Sequence, residues 1–224
     1  MLSDRLAHVH ERIRQACLRS RRDPASVRLI VVTKGVAADV IRQAVSLGVT
    51  DLGENRVQEA REKRQVVDAP NVRWHLIGHL QRNKARLAAG LFDVIHSADS
   101  SAVIESLGHA GRPLDVLIQV NVSGEASKFG CPPASARSLA EAVSRTPGLT
   151  LAGLMTIAPF SEDPEQARPH FRRLRQLRDE LLESGSLRPG ACGLSMGMSQ
   201  DFEVAIEEGA DTVRIGTAIF GPRV

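Results

Sequence analysis

What constrains this chain most is a regular alternation. Short runs rich in aliphatic and β-branched residues recur between segments of helical spacing. Eight such runs are read as strands: Val27–Thr33, Val49–Gly53, Val72–Gly78, Phe92–Ser97, Leu114–Val122, Leu149–Ile157, Ala191–Gly197 and Asp211–Gly216. The connections carry a helical period, as in Val36, Val40, Ala44 and Leu47 of the first, or Phe171, Leu174, Leu177 and Leu181 of the sixth. Asp163-Pro164 reads as the N-cap and first residue of that sixth helix, and Pro169 is expected to disturb its first turns. Strand alternating with helix demands parallel pairing with right-handed crossovers. Eight such units in 224 residues is the size of a (β/α)8 TIM-type barrel. The last strand leaves no room for a helix after it. An extra N-terminal helix with Leu2, Leu6, Val9, Ile13 and Cys17 on one face supplies the missing one. No G-x-G-x-x-G follows the first strand, which argues against an open doubly wound sheet. Residues 1–224 read as one domain.

Several function classes are excluded early. No apolar run approaches the ~20 residues that span a bilayer, and charge interrupts the N-terminus throughout, so neither signal peptide nor anchor is expected. Three cysteines, Cys17, Cys131 and Cys192, lack metal-like spacing and read as thiols of a reducing cytoplasm. The net charge is only +3, and six Phe, one Trp and no Tyr offer little for stacking bases, so no nucleic-acid partner is expected. The Arg-rich sixth helix reads as a solvated face. The pattern exposes no obvious apolar strip, which is compatible with a monomer.

The chemistry gathers where the strands end, the active face of such barrels. Strand one ends in Lys34, strand two runs into Glu54-Asn55, strand five ends in Asn121, strand seven leads through Ser195 to Gly197, and strand eight ends Arg214-Ile215-Gly216-Thr217. Closure would bring strands eight and one together, with Lys34 and Arg214 side by side. Lys34 shares its face with Ile30 and Val32, pointing inward. Only four of the 29 basic residues are Lys, and an amine, unlike a guanidinium, can form an imine. Position alone does not separate that role from a strand-end lysine paired with a carboxylate such as Glu54. Lys63 sits on a charged helix face, Lys84 follows Gln81-Arg82-Asn83, and Lys128 lies in the loop SGEASKFG. Ser199 has the character of an N-cap, with Ala205 and Ile206 as the buried face and Gly209 as the stop, and Gly216-Thr217 can add donors for an anion. His75 and His79 have zinc-helix spacing, but His75 lies on a strand, and no metal is inferred.

A lysine aldehyde trap beside a phosphate cradle describes a pyridoxal 5′-phosphate (PLP) site. The stretches VTKGV, DLGENRVQEA, WHLIGHLQRNK, VNVSGEASKFG, GLMTI and LSMGMSQDFEVAIEEGADTVRIGTAIFG resemble the pyridoxal phosphate homeostasis proteins, relatives of the alanine racemase N-terminal barrel. That resemblance implies that Lys34 carries PLP as an internal aldimine. It implies that Ser199, Gly216 and Thr217 hold the phosphate with Ser195 close by, that Arg214 faces the pyridine nitrogen, and that Asn55 lines the ring's pocket. Two departures stand out. The family's proline shortly after the lysine is replaced by Gly35-Val36-Ala37, expected to loosen that loop. Its GENY-like motif reads GENR, with Arg56 expected at the pocket mouth. The resemblance implies a non-catalytic carrier that buffers PLP in vitamin B6 and amino-acid homeostasis, with apo PLP-dependent enzymes as recipients. An Arg at the ring nitrogen makes a poor electron sink, and the tyrosine base of two-base racemases is missing from the chain. A low-activity racemase and a Schiff-base aldolase on a phosphorylated substrate are the alternatives.

Overall fold

Each β-rich run becomes a strand, and the strands pair in chain order until the last meets the first. The computed structural model describes residues 1–222. Among these, the strands are β1 (Arg28–Val32), β2 (Asp51–Glu54), β3 (Arg73–Leu76), β4 (Val94–Ala98), β5 (Leu114–Gln119), β6 (Leu149–Met155), β7 (Gly193–Ser195) and β8 (Thr212–Ile215). All pairings are parallel and the barrel is closed. The closing register sets Arg28 against Thr212, Ile30 against Arg214 and Val31 against Ile215. Helices α1 (Leu2–Arg19), α2 (Ala38–Ser46), α3 (Val57–Val66), α4 (Ala85–Leu91), α5 (Ser101–Gly108), α6 (Ala136–Arg145), α7 (Arg168–Glu183), α8 (Phe202–Glu207) and α9 (Thr217–Phe220) surround it. None is long and apolar enough to cross a membrane.

Strand alternation divides the interior into two layers. Outward residues such as Val31, Leu52, Trp74 and Ile95 join one continuous core with Ile41, Ala60, Ala88 and Leu107 of the helices. Inward residues include a small apolar cluster of Val94, Leu117 and Met155, and the side chains of Ile30, Val32 and Ile77 meet around Gly53. The rest of the lumen includes buried polar groups: His75, His96, Ser195, Gln119 and Arg214.

The N-terminal helix takes the place the sequence assigns to it. Leu6, Val9, Ile13, Ala16 and Cys17 of α1 are buried, and the helix packs on α8 and α9. Arg12 makes two bonds to Glu203, at 2.9 and 3.3 Å. Arg22 donates to the carbonyls of Ile206, near the end of α8, and of Ala210 just beyond it. Two local expectations are corrected. A single-turn helix, α9, does fit after β8. Pro169 does not break α7, because residues Pro164–Ala167 form a separate 3-10 turn capped by Asp163. The α-helix starts at Arg168, so Pro169 falls in its first turn, where no amide partner is lost.

Candidate functional site

At the C-terminal ends of the strands lies a cavity of about 730 Å³ lined by Lys34, Asn55, Ser199, Arg214, Gly216 and Thr217, together with Val32, Ile77, His79, Gln119 and Asp201. Six of the seven residues singled out above therefore share one space. Ser195 does not line it: the residue is fully buried beneath Arg214. Lys34 lies two residues past the end of β1, on the same face as Val32. It is not the register neighbour of Arg214, as the side-by-side expectation required. Ile30 is, so Arg214 sits deeper than Lys34 in the same cavity.

Arg214 forms the floor. It is 3% exposed; Nη1 donates to Ser195 Oγ at 2.6 Å and Nη2 to the Thr156 carbonyl at 2.8 Å. Burial pushes its pKa down to about 10, opposed by the Asp201 carboxylate, so it remains a cation at neutral pH. Close by, the Gln119 amide donates to the Phe129 carbonyl at 3.2 Å, while its buried Oε1 has no hydrogen-bond partner among the described residues.

The wall built by the β7 and β8 ends differs from the expected cap. The helix begins at Phe202, and Asp201 occupies the N-cap position. Ser199 is displaced from that role because its hydroxyl accepts from the amides of Gly216 (3.4 Å) and Ala218 (3.3 Å). Asp201 in turn accepts from the Met198 amide at 2.6 Å, and burial holds its carboxyl above the usual range despite that bond. Gly197 makes the turn possible: its φ is +93°, and a Cβ there would lie 2.6 Å from Ala205 Cβ.

A buried ion cluster grips the backbone on both sides of Lys34. Lys63 Nζ donates to the Thr33 carbonyl (2.5 Å), Glu54 Oε1 (2.7 Å) and Glu59 Oε1 (2.6 Å). Thr33 Oγ1 donates to Glu54 at 2.6 Å, and the Gly35 amide to Glu59 at 2.5 Å. This corrects two expectations. Lys63 is not on a solvated face, since it is only 9% exposed. The loop after Lys34 is held without its proline, by Glu59 and by a Val36 amide to Thr33 carbonyl bond of 2.9 Å. Burial raises the Glu54 carboxyl above its ordinary value, with Lys63 and Thr33 acting against it. For Glu59 burial acts in the same sense, but the bonds from Lys63 and the Gly35 amide outweigh it and the pKa falls.

The remaining candidates separate. Arg56 is exposed and absent from the cavity lining. Asn121 holds its own loop, its Nδ2 donating to the carbonyls of Glu125 (2.9 Å) and Lys128 (3.3 Å). At the rim His79 stacks on Phe129 at 3.9 Å. Sequence reasoning missed Lys63 because a Glu59–Lys63 spacing of i, i+4 looks like an ordinary surface pair. It passed over His75 and missed His96, although strand parity places both inside the barrel, with Arg73 and Ile77 on the same face as His75.

Residues 4–224 match the family described as alanine racemase, N-terminal domain. The pyridoxal phosphate homeostasis protein of Aquifex aeolicus is 43% identical over 224 residues, which cover 98% of this chain and 97% of that protein. Its counterpart in Pseudomonas aeruginosa is 45% identical over 227 residues, 99% and 96% of the two. The solved structure of PipY from Synechococcus elongatus with PLP bound superposes with a TM-score of 0.84 at 38% identity, covering 99% of this chain and 100% of that one. The chain belongs to the pyridoxal phosphate homeostasis protein family, built on the alanine racemase N-terminal fold.

Proposed function

We propose that this protein binds pyridoxal phosphate at the C-terminal face of its barrel, covalently through Lys34, and carries it to apo PLP-dependent enzymes rather than turning over a substrate. One observation carries the reading: an amine, a buried guanidinium and a set of inward amide and hydroxyl donors line a single cavity. The donor set fits the group. The Gly216 and Ala218 amides already converge on Ser199 Oγ, and an anion bound at the same turn would find these amides with the hydroxyls of Ser199 and Thr217. Asn55 borders the space for the ring, and Gln119 Oε1 leaves a buried acceptor for a bound molecule. Bound PLP supplies an aldehyde for amine capture and, once its ring nitrogen is protonated, an electron sink.

What the chain's residues do supports carrying over turnover. Arg214 presents a cation from the floor, and a cation beside the ring nitrogen disfavours its protonation. The ion cluster of Glu54, Glu59 and Lys63 fixes the backbone on both sides of Lys34, so its side chain springs from a rigid point. The chain has no Tyr to act as an opposing base. Ser195 acts through Arg214 rather than on the cofactor. The near-visible absorption spectrum of the purified protein, followed by borohydride reduction and peptide mass mapping, tests the reading. A yellow protein with its pyridoxyl adduct on Lys34, and no band in Lys34→Ala, is expected. A protein that stays colourless and unmodified with added PLP would overturn it. Steady racemase, transaminase or decarboxylase turnover, lost in Lys34→Ala, would overturn the carrier role alone.

A further inference from the structure

A line of hydrogen bonds crosses the barrel lumen from the floor of the site to the opposite end. Arg214 Nη1 donates to Ser195 Oγ at 2.6 Å. Ser195 Oγ lies 2.9 Å from His96 Nδ1. His96 Nε2 lies 3.0 Å from His75 Nδ1, and His75 Nε2 lies 2.9 Å from Asp51 Oδ1. The residues come from β8, β7, β4, β3 and β2, and the three inner ones are buried. Below them a second cavity of about 620 Å³ reaches Asp51, His75 and His96 from the N-terminal ends of the strands.

The chemistry of the two ends gives this line a direction. A guanidinium only donates and a carboxylate only accepts. Ser195 Oγ accepts a hydrogen bond from Arg214, which leaves its own hydroxyl to donate to His96 Nδ1. His96 then carries its proton on Nε2 and donates to His75 Nδ1, and His75 Nε2–H donates to Asp51. All four bonds are made with both rings neutral and in the Nε2–H tautomer. The reverse direction needs a proton on Asp51. Burial lowers the pKa of both rings, and His96 is lowered further by the charges of Arg214, Arg28 and Arg73. Burial raises the Asp51 carboxyl, but bonds from His75 and Thr50 outweigh it and keep it below its usual value.

We propose that Asp51, His75, His96 and Ser195 are positioning residues that hold Arg214 in place through this directed relay, and that charging of His75, on the wall of the lower cavity, reverses the tautomer of His96 and is felt at the cofactor face. The coupling to the cofactor rests on the PLP reading given above; the direction of the relay does not. With one proton taken from solvent, both nitrogens of His75 donate. His96 must then bare Nε2 and carry its proton on Nδ1, donating to Ser195 Oγ. Ser195 Oγ then accepts from both Arg214 and His96, and its hydroxyl keeps its proton but turns out of the line, so the one proton taken up is the second on His75. Arg28 and Arg73 oppose charging of His75, whereas Asp51 favours it. Arg28 lies 3.6 Å from Asp51, and Arg73 is bonded to Asp115 at 2.7 Å. His10 and Asp211 face the same cavity, and Arg214 opposes a charge on His96 from above. The relay therefore holds its neutral direction at neutral pH and switches in acid.

Long-range 1H–15N spectra of histidine-labelled protein without cofactor test the direction. At neutral pH both rings are expected as Nε2–H tautomers, and on acidification His96 is expected to change to Nδ1–H as His75 charges. An Nδ1–H tautomer of either ring at neutral pH, or a His96 that ignores the His75 transition, would overturn the relay. In the PLP-loaded protein the near-visible band is expected to move with the His75 transition. In Asp51→Asn that movement should come at lower pH, with the adduct still on Lys34. A band flat across the transition in the wild-type protein overturns the coupling without needing a variant. Failure of the wild-type protein to bind PLP would strike the cofactor reading and the coupling together, while the tautomer spectra still decide the relay.

Discussion

Lys63 shows how much a single side chain can determine. Its ammonium touches two carboxylates and a carbonyl in a space where Glu54 has no solvent exposure. Replacing it by Met would keep the volume of the stem and leave Glu54 as a buried charge with Thr33 as its remaining donor among these contacts. Breaking such a pair costs about 3–5 kcal/mol. The sign of the pH dependence follows from Glu54, whose pKa burial already raises. Without Lys63 that carboxyl protonates more readily still, and a neutral acid has no charge to bury. Lys63→Met should therefore be most destabilised near neutral pH and approach the wild-type protein in acid. Urea midpoints of the two proteins across that range check this, and a gap that widens in acid would contradict it. Lys34 was legible because its residue type is rare in this chain and its strand parity points inward. Lys63, equally rare, was not: Glu59 is its i, i+4 neighbour on α3, but Thr33 and Glu54 come from the ends of β1 and β2, and no local pattern records that these meet it.

The elements themselves were largely legible, since alternation between period 2 and period 3.6 is a property of neighbouring residues. Their ends were less so. The seventh run, Ala191–Gly197, shrinks to β7 at Gly193–Ser195, because beyond Ser195 the backbone bonds to β8 in a turn rather than a ladder: Met196 to the Thr212 carbonyl, and Arg214 to that of Gly197. Ser199 looked like a cap for the same reason that it is a good acceptor, but the amides that reach it belong to the β8 turn, seventeen and nineteen residues on. Only the closed barrel brings these together. Gly197 is the joint of this arrangement. In Gly197→Ala the added carbon would meet Ala205 Cβ at 2.6 Å and Phe202 Cα at 2.9 Å, with the backbone at φ +93°. Positive φ and overpacking each cost on the order of 1–3 kcal/mol. The variant should lose stability of that order and bind PLP more weakly, because Ser199 and the start of α8 must move apart. Thermal unfolding and a PLP titration read the two effects, and a variant with unchanged affinity would separate Ser199 from the cradle.

At the scale of the whole molecule, the barrel is unusual in filling its lumen with a polar column where a shell of aliphatic side chains would serve stability alone. The column makes folding depend on pH, and the sign can be worked out. His75 and His96 have folded pKa values below the ordinary 6.5, chiefly because burial penalises their charged forms. The unfolded chain therefore binds more protons than the folded one once the pH falls below about 6.5. Stability is fully present above that value and is lost as the pH drops towards the folded pKa values, with a slope of up to about 1.4 kcal/mol per pH unit for each ring. Asp51, held below its usual value, adds its own loss only in stronger acid. Glu54 works the other way, because its raised pKa lets the folded chain take up a proton before the unfolded one. A comparison of variants isolates the histidines from that opposing term. In His96→Gln one titrating ring is gone and Glu54 is untouched, so the fall in stability between about pH 6.5 and 5 should be smaller than in the wild-type protein by up to about 2 kcal/mol. Gln can donate to His75 Nδ1 or accept from it, but it cannot charge, so the lower half of the column keeps a partner while the linkage is lost. Urea unfolding at a series of pH values measures the difference directly, and an equal or steeper fall in His96→Gln would mean that the buried column does not set the acid limit of the fold.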